Sequence, residues 1–109
     1  MLVSSATVRG TLDKEIIRRI VRRNLNQVRY CYQEALVRHP ALEGRLVTQF
    51  TIAPTGRVLA AMVQSSTLKE ISVESCVVNA IKRWEFPEPS GGGLAIVSYP
   101  FTFSPAGGE

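Results

Sequence analysis

The hydrophobic residues of this chain change their period along its length, and that change limits the fold more than any other feature. From Asp13 to His39 they recur at Ile16, Ile17, Ile20, Val21, Leu25, Val28, Cys31, Ala35 and Leu36, the spacing of one helix face. Asp13 and Glu15 suit the positive end of a helix dipole, and His39 before Pro40 ends the run, so one helix is predicted to stop near Arg38. From Gly44 to Ile52 the period falls to two: Leu46, Thr48, Phe50 and Ile52 share a face, and Val47, Gln49 and Thr51 take the other. Turn residues Ala53, Pro54, Thr55 and Gly56 lead into a second apolar run, Arg57 to Ser65, which makes the pair a hairpin.

Helical spacing returns between Lys69 and Trp84 at Val73, Cys76, Val77, Ala80, Ile81 and Trp84. Phe86 to Ser90, with two prolines, and Gly91 to Gly93 then form a flexible connector. Leu94 to Phe103 alternates again, with Ala95, Val97, Tyr99, Phe101 and Phe103 on one face. Pro100 cannot donate a ladder hydrogen bond, so this last strand is expected at a sheet edge or with a bulge. An α+β fold follows, in the order helix, hairpin, helix, strand, with two helices packed on one face of a small antiparallel sheet. Residues 1–12 form an N-terminal extension or short strand, 13–104 the domain and 105–109 a disordered tail.

With 109 residues the chain has room for one core. No stretch approaches the roughly 18 apolar residues that cross a bilayer, and the start lacks a basic segment followed by an apolar one. The formal charge of +4 is concentrated in Lys14, Arg18, Arg19, Arg22, Arg23 and Arg29. These form either a solvated helix face or a surface for an anionic partner: an acidic protein, peptidoglycan carboxylates, lipid phosphates or, in a cytoplasmic setting, nucleic acid. The aromatics do not interleave with the arginines as a single-strand platform requires. An enzyme is not expected: His39 is the only histidine, no nucleophile sits in a motif such as GxSxG, and no GK[ST] follows the glycine triplet. Cys31, Cys76 and His39 are too few and too scattered for zinc, so no metal or cofactor is expected. Two cysteines, one on each helical stripe, permit one disulfide or two buried thiols.

Several motifs nevertheless occur together in a familiar order. LEGRLVTQFTIAPTGRV, then Ser65 and Ser66, then VVNAIKRWEFP over Val77 to Pro87 and the closing YPFTF resemble the C-terminal domain of TonB-like proteins. GTLDKEIIRRIVRRNLNQVRYCYQEALVRHPALEG, with ESC at Glu74 to Cys76, resembles more narrowly the C-terminal domain named after AgmX and PglI, of myxobacterial adventurous gliding motility proteins. The likeness covers nearly all of residues 9 to 104. It implies a periplasmic end domain of an inner-membrane-anchored, force-transducing protein, with the anchor outside this sequence. Its partner is then an outer-membrane or periplasmic protein, with peptidoglycan as a further candidate, and no nucleic acid is expected. The family's mode of strand addition carries over to Leu94, Ala95, Ile96, Val97, Ser98 and Tyr99, upstream of Pro100. In an oxidising periplasm Cys31 and Cys76 are expected to bond. The longer basic first helix and the two cysteines depart from TonB proper. A basic nucleic-acid-binding α+β domain is the alternative.

Overall fold

A computed structural model describes residues 6–105, and within them the order is β1 (Thr7–Arg9), α1 (Lys14–Arg23), α2 (Leu25–Leu36), β2 (Gly44–Ile52), β3 (Val58–Ser66), α3 (Ile71–Ile81) and β4 (Ala95–Phe103). The predicted α+β class is the observed one: an antiparallel sheet in the order β1-β4-β2-β3, with helices over one face. Of the N-terminal extension, residues 1–5 lie outside the described residues, as do 106–109 of the tail.

The single helix expected from Asp13 to Arg38 is two. Asp13 caps α1 by accepting from the Glu15 amide at 2.8 Å. At the other end Asn24 turns its side chain back, its Nδ2 donating to the Ile20 carbonyl at 2.9 Å while its own amide reaches Ile20 and Val21. An asparagine that bonds the backbone this way competes with the helix ladder, and the helix is interrupted at Asn24 before α2 begins at Leu25. The apolar stripe runs through the break unaltered, which is why periodicity does not reveal it.

Alternation predicts the buried faces of β2 and β4, whereas that of the third strand, β3, is open in the sequence. Leu46, Thr48, Phe50 and Ile52 of β2 are buried, as are Ala95, Val97, Tyr99, Phe101 and Phe103 of β4, and they meet Ile17, Val21, Val28, Val73, Val77 and Ile81 from the helices. Trp84 and Phe86 join the same core, and the Trp84 indole nitrogen donates to Gln27 Oε1 at 2.9 Å. Tyr32 is buried and donates to the Leu42 carbonyl, tying down the connection after α2, whereas its neighbour Tyr30 is exposed.

Thr48 is the one buried polar side chain among the described residues, and its hydroxyl donates to the Tyr99 carbonyl at 3.1 Å. Thr48→Val keeps the shape and deletes the bond. Denaturant titration is expected to show a loss of about 1 kcal/mol, the usual net worth of such a bond.

The last strand is not where its proline suggested. β4 lies inside the sheet, paired with β2 from Gly44↔Phe103 to Ile52↔Ala95 and with β1 on its other side. The β2 register passes unbroken through Val47↔Pro100, and the described β1 pairing has already ended at Ser98. An interior strand tolerates proline where its missing N–H faces no ladder partner.

Candidate interaction site at the β1–β4 margin

Gly10 shapes the margin of the sheet beside β1. Its φ of +123° turns the chain from β1 toward α1, and a Cβ there would lie 2.6 Å from the Leu94 carbonyl oxygen. Thr11 donates to the Ser90 carbonyl in the 3-10 turn Ser90–Gly92, so the glycine connector is a turn anchored to the N-terminal segment. These features lay β1 antiparallel on β4 through Thr7↔Ser98, Val8↔Val97 and Arg9↔Ile96. Val8 shares the core face with Val97 and extends the apolar layer, which is the physical reason that the N-terminal segment folds onto this strand.

The expected docking edge, Leu94 to Tyr99, is therefore corrected: its centre is already paired. Leu94 stands exposed before β4, and Ala95, Val97 and Tyr99 are buried against the helices. Ile96 and Ser98 are half-buried on the opposite face, opposite Arg9 and Thr7. The covering strand is short, however. β2 matches β4 over its entire length, whereas among the described residues β1 matches it at Ile96, Val97 and Ser98.

The basic helix lies over this part of the molecule. Tyr99 is buried beneath α1, and burial raises its hydroxyl pKa above the ordinary 10.0 while nearby Arg18 and Arg22 pull it down. Arg18 is half-buried and holds Glu15 at 2.6 Å; Lys14, Arg19, Arg22 and Arg23 are exposed. Arg22 and Arg23 occupy the last turn of α1, where cations favour the helix dipole, so part of the cluster has a structural use. Arg29 belongs to α2 and approaches Asn26, apart from the α1 group in chain and helix.

Tyr32 is raised in the same direction, by burial and then by Glu43. In the unfolded chain both phenols release their protons nearer to 10.0, so the folded state binds them more tightly. Their contribution to stability is complete below that pH and is lost as pH climbs through the raised values. Melting temperature is expected to fall between about pH 9 and about pH 12 beyond the change seen in Tyr32→Phe.

Cys31 of α2 and Cys76 of α3 form a disulfide with their Cα atoms 5.6 Å apart. This removes both from metal binding, and His39 instead pairs with Glu70 at 3.5 Å. Among the described residues no three His, Cys, Asp or Glu side chains gather as a metal site, and no helix is long and apolar enough to cross a membrane. No family model, curated protein or solved structure matches the chain. The short strand offered for the N-terminal segment is β1; what the sequence did not show was its pairing with β4 and the close approach of Gly10 to Leu94.

Proposed function

We propose that this chain is a periplasmic protein-interaction domain of the TonB C-terminal type, closest to the AgmX and PglI kind. In this reading it ends an inner-membrane-anchored protein of the gliding-motility machinery and passes force to an outer-membrane partner. The observation that carries the reading is that, among the described residues, the β1 cover spans a third of the length of β4. A partner segment entering antiparallel in place of β1 would keep the three existing pairings and extend them toward Phe103, gaining backbone hydrogen bonds without demanding particular side chains. The order of the GRLVTQFTI, PTGRV and WEFP motifs supports the family, and the Cys31–Cys76 bond suits an oxidising compartment. The exposed arginines of α1 beside this margin serve as an electrostatic second contact.

Locking β1 in place tests the mechanism. A photoreactive residue at position 102 is expected to crosslink the chain to an envelope protein in the producing cell. A Thr7→Cys and Ser98→Cys pair, which ties β1 to β4, should cut that crosslink by about tenfold, because the slot can no longer open. A crosslink undiminished by the lock rejects displacement of β1. Arg19→Glu with Arg23→Glu is expected to reduce crosslinking several-fold at low salt and to flatten its salt dependence. An unaltered salt profile removes the arginines from the contact.

A further inference from the structure

The opposite margin of the sheet has no covering strand among the described residues. β3 ends the strand order, and its sequence VLAAMVQSS holds neither a charge nor a proline. Proteins ordinarily protect an open edge with such residues or by keeping the strand very short, and β3 has nine residues. Leu59 and Met62 are 63% and 56% exposed there, a large apolar surface to leave in water. Among the described residues the edge is closed at its beginning, where Arg57 and Glu85 form an isolated antiparallel backbone bridge and the Phe86 amide donates to the Gly56 carbonyl.

Along this edge runs a groove of about 340 Å³ between β3 and α3, lined by Met62 and Val63 on the strand and by Glu74, Val78 and Lys82 among others on the helix. Met62 and Val63 belong to opposite faces of the sheet, since they pair with Gln49 and Thr48, so the groove opens at the strand edge itself. Both walls are symmetric about their middles. The β2–β3 register shifts leave Leu59 and Gln64 as the extra residues on β3, flanking the regular stretch Ala60–Val63. Glu74 on α3 and Lys82 at its C-cap stand four residues before and four after Val78.

We propose that the β3 edge and α3 form a two-fold interface with a second copy of this chain. An axis at Ala61 and Met62 sets Ala60–Val63 antiparallel against itself and continues the two sheets into one. Because Val78 lines the same groove, the same axis crosses α3 near it, and Glu74 of each copy comes to face Lys82 of the other. The charges are thus complementary only in the antiparallel, self-paired arrangement, and the uncharged strand adds no repulsion. Flanking bulges limit the regular backbone pairing to a few residues, so the dimer is a moderate one in which the helix charges set the register. The interface is independent of the β1–β4 margin, which lies at the far side of the sheet and is left untouched in both copies.

Sedimentation velocity of the intact oxidised chain, from about 1 µM to about 500 µM, is expected to show a monomer–dimer equilibrium within that range. Met62→Lys places a charge on the exposed edge and should weaken association by about 100-fold or more. Glu74→Lys sets like charges together at both ends of the helix pair and should weaken it by about tenfold. The double variant E74K/K82E restores opposite charges and is expected to return within about threefold of the wild type. Mixing E74K with K82E in equal amounts should favour the heterodimer. All three positions are at least partly exposed, and circular dichroism of each variant confirms that the monomer stays folded. A chain that remains monomeric throughout, a dimer indifferent to Met62→Lys, or a double variant as weak as the single one overturns the proposal. An extended peptide bound at this edge by a monomer overturns it as well. The Thr7→Cys and Ser98→Cys lock leaves this dimer intact, so failure here is distinct from failure of strand displacement at β4.

Discussion

Reducing the Cys31–Cys76 bond is expected to lower the free energy of unfolding by about 4 kcal/mol, the largest single effect in the molecule. The bond closes a loop of 45 residues that contains the end of α2, the whole hairpin and the beginning of α3. Freed from that constraint, the unfolded chain gains loop entropy worth about 4 kcal/mol on the chain-entropy estimate. For a domain of this size the melting temperature should drop on the order of 20 °C. The bond is also reachable: it borders a groove of about 370 Å³ between α2 and α3, lined by Gln27, Tyr30 and Ala80, and Cys76 is only half-buried. Melting with and without a small thiol, beside the Cys31→Ser and Cys76→Ser double variant, checks the expectation. A shift below about 5 °C in both would mean that packing alone holds α2 to α3.

Gly56→Ala is expected to cost about 3 kcal/mol or more, for two reasons that act together. Its φ of +91° is a conformation that side-chain-bearing residues adopt with strain, and a Cβ would stand 2.0 Å from the Phe86 carbonyl oxygen. That obstacle is backbone and cannot rotate away. The chain is close there because the Phe86 amide donates to the Gly56 carbonyl at 2.9 Å, anchoring the segment after α3 to the hairpin turn. Comparison separates the causes. At Gly91 φ is +78° with open space around it, so Gly91→Ala should cost only about 1 kcal/mol, and at extended, open Gly93 the change should be near neutral. Equal losses at Gly56 and Gly91, measured by denaturant titration, would show that strain alone is responsible.

Those two contacts also show where sequence reasoning ended. Gly56 was legible as a turn residue between two apolar runs, but the approach of Phe86 was not, because the two are far apart in the chain. Cys31 and Cys76 were legible as stripe residues on two helices. Their bond depends on α2 and α3 lying side by side, which the spacing of either helix leaves open. The Asn24 break is not legible because the apolar stripe crosses it in phase, and one side-chain hydrogen bond interrupts the helix without altering the pattern.

The chain by itself determined its class, its hairpin, the helical span around α3 and the buried faces of β2 and β4, while the face that β3 buries was left open. These depend on local periodicity, since a residue's face follows from its position within a helix turn or a pleat. Tertiary structure alone decided which strands are edges. Pro100 announced that β4 lacks a donor at one point, which is a local fact, but whether a neighbour covers that side depends on where a distant segment returns. Val8 finds apolar surface beside Val97, so the N-terminal strand covers the expected docking edge in part and leaves β3 as the uncovered margin. Strand order is set by which apolar faces complete one another's burial, and no single segment carries that information.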